Sequence, residues 1–407
     1  MPTLLQINVT GNSGSHGKIA EEIGRLALQR GWRSLIAYGR WTNASQSELI
    51  RIGSDFDVAE HGLESRLMDN HGLASRRATK RLVQQIEEIK PDIIHLHNIH
   101  GYYLNYRILF EYLNATNIPL VWTLHDCWSF TGHCAHYVTA SCELWKTGCS
   151  QCPLKNDYPK SFVDRSARNF RLKKDLFTAN KNLHLIAVCD WLGGMVGRSF
   201  FSDMDLRVIK NGIDVNVFKP NDASGKVGVN KKKTVLGVSS VWHKDKGLFD
   251  FYRLRELLPS DYEIILVGLS KKQIRDLPCG ISGIERTESV MDLVNLYSQS
   301  DVFVNPTYAD TFPTVNLEAL ACGTPVITYN TGGSPEAIDD QTGLVIEQGN
   351  VAMLAAAIKE MCENPQVYST KCRERAVQFF DMRDKYAEYF DVYDSIMGGH
   401  AEVKVGV

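Results

Sequence analysis

The chain has no apolar run approaching the roughly 20 residues that span a bilayer. It also has almost no net charge, with 45 Lys and Arg against 47 Asp and Glu for a formal balance of -2. The first absence excludes a helical membrane protein, and the second gives no global footprint for nucleic acid. The opening MPTLLQINVT lacks a basic region and turns polar quickly, so it does not read as a secretory signal. A cytoplasmic location is expected. There the ten cysteines should be reduced or metal-bound rather than paired as disulfides. No internal repeat is evident. What remains is ordinary for a globular protein, with 44% apolar and 23% charged residues. At 407 residues the chain exceeds one typical core and suits two domains.

The most informative stretch is Tyr308 to Ile327, YADTFPTVNLEALACGTPVI. It follows an apolar run, DVFVN, that reads as a buried strand. Pro313 fits the first turn of the next helix, where its missing N–H costs nothing. The helix continues over Asn316 to Cys322, Gly323 ends it, and Pro325 to Thr328 begins another strand. Asp310 precedes the helix and Glu318 lies inside it. A helix N-terminus, here at Thr314 and Val315, attracts phosphate. A nearby acid accepts hydrogen bonds from sugar hydroxyls. Together these parts suit a nucleotide diphosphate-sugar better than a plain phosphate. Two surface acids on an ordinary helix are the bland alternative.

The rest of the chain alternates strand and helix. Leu4 to Val9 reads as a strand entering the loop TGNSGSHG, which contains Gly14 and Ser15 but not the full G-x-G-x-x-G fingerprint. A helix follows over Lys18 to Arg30, then a strand over Ser34 to Tyr38. Trp41 to Asn70 is irregular, with hints of short helices. Further strands are expected at Ile93 to Leu96, Leu120 to Leu124 and His184 to Val188. Their carboxyl ends carry His97-Asn98, His125-Asp126 and Asp190. In open α/β sheets ligands bind beyond those ends, so His125 is favoured as functional and His97 is the second candidate. His95 reads as a structural residue. Asp157 to Asn180 is basic and helical, and Arg165, Arg168, Arg171, Lys173 and Lys174 form a cationic face, which is more often a solvated face than a membrane contact. Asn221 to Lys233 is polar and reads as a linker. A second set of strands begins at Thr234, and the tail after Gly398 reads as loose.

Half of the cysteines fall between Cys127 and Cys152. Four of them, Cys134, Cys142, Cys149 and Cys152, end in a C-x-x-C pair with the spacing of a metal knuckle. Four thiolates would close a tetrahedral structural zinc site with no open position for catalysis. His133 or His136 could replace one cysteine, and free buried thiols or a disulfide are the alternatives.

Asp310-x7-Glu318 with the following EALACGTPVI, the NGID-x3-F string at Asn211 to Phe218, TLHD at Thr123 to Asp126 and NTGGSPE at Asn330 to Glu336 resemble the motifs of family 4 glycosyltransferases, enzymes of GT-B fold. The usual first acid of that signature is Glu rather than Asp, and Gly often stands at the place of Pro313. The resemblance implies two Rossmann-like doubly wound α/β domains facing a cleft. Their expected bounds are 1–205 for an acceptor-side domain with the Cys-rich insertion 127–152, 206–375 for a nucleotide-sugar domain, and 376–407 for a helix returning to the first domain. It implies transfer of a sugar, with retention at the anomeric carbon, from a nucleotide diphosphate-sugar to a hydroxyl on a glycan. No metal cofactor is implied for catalysis. Glu318 would hold the ribose, Asp310 the sugar hydroxyls and developing cation, Lys246 the pyrophosphate, and His125 would sit near the sugar. The loop bearing Gly14 and Ser15 would contact donor or acceptor. The family commonly has an Arg where Val241 stands, with Lys244 or Arg286 as candidates for the missing charge. TLHDCWSFTGHC and the cysteines are similar to a bacterial subgroup making capsular or exopolysaccharide. That subgroup implies a lipid-linked saccharide acceptor and peripheral contact with the inner membrane. A nucleotide-sugar epimerase and a non-catalytic nucleotide-sugar sensor are the rivals on the same fold, with a nicotinamide oxidoreductase more remote.

Overall fold

The computed structural model describes residues 1–221, 232–363 and 365–402. Most of the stretch read as a linker, and the end of the tail, lie outside the described residues. The chain divides into two compact units, Met1–Ile209 together with the chain from Tyr386, and Lys210–Lys385. The second boundary falls inside the last helix, Met382–Glu402.

The first unit holds a sheet of β1 (Thr3–Asn8), β2 (Arg33–Tyr38), β3 (Glu48–Arg51), β4 (Ile93–Leu96), β5 (Leu120–Leu124), β6 (Leu183–Ala187) and β7 (Asp205–Val208). All pair in parallel, in the order β3-β2-β1-β4-β5-β6-β7. Every residue of β1, β4 and β5 is buried, because helices cover both faces of a parallel sheet. The second unit repeats the plan with β8 (Lys233–Val238), β9 (Tyr262–Val267), β10 (Ile281–Ile284), β11 (Val302–Asn305), β12 (Val326–Tyr329) and β13 (Gly343–Ile346), ordered β10-β9-β8-β11-β12-β13. Its core gathers Val235, Phe251, Ile264, Leu266, Val302, Val304, Ile327 and Ile358. In each sheet the order reverses once, between β1 and β4 and between β8 and β11. That crevice is where a doubly wound sheet binds its ligand.

Three sequence expectations need correcting. The irregular segment after Trp41 contains the edge strand β3 and a 14-residue helix, Asp55–Met68. Periodicity does not show that helix because only His61 and Ser65 are buried on it. A capping box starts it: the Ser54 hydroxyl accepts from Asp57 N–H while the Asp57 carboxylate accepts from Ser54 N–H. The single helix expected near the C-terminus is two, Pro365–Phe380 and Met382–Glu402, broken at Asp381, which bridges to Ile213. Lys173 is no part of a cationic face. It is 1% exposed, and its Nζ donates to the carbonyls of Trp128 (2.6 Å) and Thr131 (3.0 Å).

In NGID, Asp214 accepts from the N–H groups of Asn216 and Val217, as a capping acid should. Gly212 is needed for another reason than a turn. A Cβ there would overlap the backbone of Met382. Gly212→Ala should therefore lower the stability of the second unit by about 1–3 kcal/mol. Gly194, which lies in the helix Asp190–Val196 with open space at its Cβ position, should gain about 0.5–1 kcal/mol as Ala. Urea unfolding of the two variants checks both signs.

Candidate active site

The second unit's switch point is built by the segments that leave β8 and β11. After β8 the chain makes a single 3-10 turn, Lys244–Lys246, ended by Gly247 at φ +74°. A side chain at Gly247 would collide with the carbonyl of Pro306, so glycine lets the turn lie against the loop after β11. That loop is pinned to the turn by Tyr308 N–H and Thr307 Oγ1, both donating to Asp245 O (2.8 and 3.2 Å). Tyr308 also anchors inward through its hydroxyl, which donates to the buried Asp250 (2.8 Å). The result sets Lys246 Nζ 2.6 Å from Asp310 Oδ2, with each side chain about a quarter exposed. Two residues given separate roles by the motif therefore form one ion pair. Gly332, at φ +56°, closes over it, and a Cβ there would overlap Asp310 O.

The helix Thr314–Ala321 follows directly, with Pro313 as its extended N-cap rather than its first turn. Asn316 fixes its buried side. Its Oδ1 accepts from Asn305 Nδ2 (2.9 Å) and its Nδ2 donates to Ser334 Oγ (3.0 Å), which meets Thr328 Oγ1 (2.6 Å). Strand, helix and NTGGSPE turn are thus tied by one buried polar network. Asn211 ties in the NGID segment by donating to Phe312 O (3.2 Å). Glu318 is half-buried on the same helix and accepts from the buried Tyr297 hydroxyl (3.0 Å). Thr314, Val315 and Glu318 therefore share one element beside the ion pair. Arg286 is exposed beyond β10, two strand positions from the switch point. Lys244 is also exposed, and Val241 is 63% exposed.

In the first unit, Gly14 and Ser15 open the helix Gly14–Gln29, which starts earlier than its apolar periodicity suggests. At the β1–β4 switch point the strand ends present a chain of imidazoles. Gln6 Nε2 donates to Ala20 O, so its Oε1 accepts from His97 Nε2–H (3.0 Å). His97 Nδ1 then accepts from His125 Nε2–H (3.2 Å). The network assigns these tautomers, and it leaves Nδ1 of His125 as an acceptor. Burial and the neighbouring imidazoles push His97 and His125 well below the usual histidine range, so both are neutral near pH 7. Beside them Asp126 Oδ2 meets His100 Nε2 (2.8 Å), and His100 Nδ1 meets the Tyr158 hydroxyl (3.0 Å). Burial raises the Asp126 pKa, but the His100 charge and hydrogen bond outweigh it and hold the carboxyl below its ordinary range. His95 is structural, with its nitrogens on Tyr393 OH and Thr123 Oγ1.

Residues 17–217 match the model of glycosyltransferase family 4, and residues 232–364 match that of glycosyl transferases group 1. The chain belongs to the glycosyltransferases of these families. Over 375 residues it is 26% identical to "Putative colanic acid biosynthesis glycosyl transferase WcaC" of Escherichia coli (strain K12), spanning 88% of this chain and 90% of the relative. Among solved structures it resembles sucrose-phosphate synthase from Thermosynechococcus elongatus, with TM-score 0.73 and 17% identity over 98% of this chain and 100% of that one. It also resembles Anabaena HepE in complex with UDP and glucose, with TM-score 0.67 and 18% identity over 96% and 99%. These likenesses establish the fold of this glycosyltransferase as GT-B.

The sequence motifs thus led to Asp310, Glu318, Lys246 and His125, while Gln6, His100, Tyr297 and Asn316 escaped them. A polar Gln6 flanked by apolar Leu5 and Ile7 was a local signal.

The buried imidazoles make a pH prediction. Burial lowers His16 and His61 to about 4 and His95 to about 3 in the folded state. The unfolded chain takes up these protons near pH 6.5 and the folded one does not, so stability rises with pH through this window. Each such histidine should remove roughly 2 kcal/mol by pH 5 relative to pH 7.5. Urea unfolding of the glycosyltransferase between pH 7.5 and 5 should show the fall, and a flat profile would contradict the burial.

Proposed function

We propose that the protein transfers a sugar from a nucleotide diphosphate-sugar to a saccharide acceptor in surface polysaccharide biosynthesis. The observation that carries this reading is the Lys246–Asp310 pair at the β8–β11 switch point, next to the N-terminus of the helix that bears Glu318. A phosphate needs positive charge and N–H donors, and a sugar needs acceptors. This corner holds both within one loop and one helix turn.

Departure of the nucleoside diphosphate breaks the bond between the anomeric carbon and a phosphate oxygen, and negative charge builds on that phosphate. Lys246 and the N–H groups of Thr314 and Val315 meet that charge. Asp310 holds the ammonium in place, and its carboxylate faces the positive charge growing on the sugar ring. Glu318, steadied by Tyr297, accepts from the ribose hydroxyls. Nδ1 of His125 is the acceptor that the first unit offers to a sugar hydroxyl. Because no group needs a metal to carry out these roles, donor binding is independent of added metal. The reaction proceeds with retention, and no side chain is assigned as nucleophile.

The HepE complexes hold UDP and glucose, which supports a nucleotide-sugar donor here. The relation to WcaC, named for colanic acid biosynthesis, supports a polysaccharide product, and a lipid-linked saccharide is the acceptor proposed with it. Among the described residues no helix is long and apolar enough to cross a membrane, so contact with such an acceptor would be peripheral. The exposed Arg171 and Lys174 on the helix Ser166–Thr178 would face the anionic surface.

A panel of nucleotide diphosphate-sugars, assayed by thermal shift without metal, tests the reading. One donor should stabilise the protein, and no shift with any would overturn it. With that donor, Glu318→Ala should weaken nucleotide binding by roughly 1–3 kcal/mol. Lys246→Ala should cut turnover by about 10²–10³. Donor conversion without an acceptor would indicate an epimerase instead.

A further inference from the structure

The stretch between β5 and the helix Ser166–Thr178 has little regular structure, only the 3-10 turns Trp128–Phe130, Val138–Ala140 and Leu144–Lys146. It is nonetheless well packed, with Phe130, Tyr137 and Trp145 buried. Cys134, Cys142, Cys149 and Cys152 all line one small pocket under these rings, and His133 lines it with them. None of the four is in a disulfide.

Three polar features point at this pocket. Gly132 N–H donates to Cys149 Sγ (3.2 Å). His133 is 3% exposed, and its Nε2 has no hydrogen-bond partner, while Asp69 Oδ1 holds its Nδ1 at 2.6 Å. His133 thus lines the pocket beside the four thiols with its ring held by the Asp69 carboxylate. Lys173 is buried, and its two acceptors are neutral carbonyls. A buried ammonium without an anion is costly. A divalent cation held by four thiolates carries two net negative charges, and such an anion would offset it.

We propose that Cys134, Cys142, Cys149 and Cys152 bind one zinc ion as a structural tetrathiolate, with Lys173 as its buried counter-charge. Among the described residues no group of three or more His, Cys, Asp or Glu side chains is already arranged to hold a metal. The ion would complete the site by drawing in thiols carried on turns and loops, each by a change of χ1 rotamer. Four ligands leave no open position, so the ion staples the segment and takes no part in transfer. The staple ends on the same loop that presents Asp126, so it would hold that end of β5 in place.

The proposal stands apart from the donor reading, and its test does not use activity. Full-length protein purified under reducing conditions should contain one zinc per chain by elemental analysis. A strong chelator should lower its melting temperature, and zinc should restore it. Cobalt exchanged into the site should give the sulfur-to-metal charge-transfer and tetrahedral d–d bands of a tetrathiolate. Cys142→Ser with Cys149→Ser should abolish metal and bands, whereas Cys279→Ser, at an exposed cysteine outside the cluster, should keep both. If the double variant does not fold, the wild-type cobalt spectrum decides. Metal-free folded protein with a chelator-insensitive melt, or a Cys134–Cys152 disulfide by mass spectrometry, would overturn the proposal.

Discussion

The 2.6 Å ion pair between Lys246 and Asp310 depends on backbone as much as on charge. Isolated and exposed, such a pair contributes little. Here it is held by two glycines that permit close approach, Gly247 against Pro306 and Gly332 against Asp310, and by two bonds to Asp245 O. The pair is preorganised because the chain around it cannot relax without breaking those contacts. Preorganised charge is what a departing diphosphate requires, since the cost of orienting it has been met in folding.

The placement follows from topology. A parallel sheet that reverses its strand order opens a crevice at the carboxyl ends of the two central strands. Both units use the same order around that reversal, and both put polar residues there, Lys246 and Asp310 in one, His97 and His125 in the other. In the first unit the polar groups are neutral imidazoles relayed from Gln6, which set a hydrogen-bond acceptor without placing a charge. The two units thus present different chemistry at equivalent positions, one suited to phosphate and the other to hydroxyl groups.

Much of this was legible in the sequence, for identifiable reasons. Strands buried on both faces leave continuous apolar runs, so β4, β5, β11 and the residues just after them could be located. Asp310, Glu318 and the helix between them lie within one short segment, so local spacing was enough. What escaped depended on contacts between distant segments. The Lys246–Asp310 pair spans 64 residues. Gly212 is demanded by Met382, not by its own turn. Lys173 follows the charge pattern of an exposed face but turns inward to carbonyls contributed by another segment. The helix Asp55–Met68 buries too little apolar surface to show a period, and only its capping box marks it.

The most direct test is hydrogen–deuterium exchange of the full chain with and without the stabilising nucleotide diphosphate-sugar. The account predicts added protection at the Lys244–Lys246 turn, the Tyr308 to Phe312 loop and the first turn of the helix Thr314–Ala321. Binding that leaves those segments unprotected, and protects the loops beyond β9 and β10 instead, would contradict it.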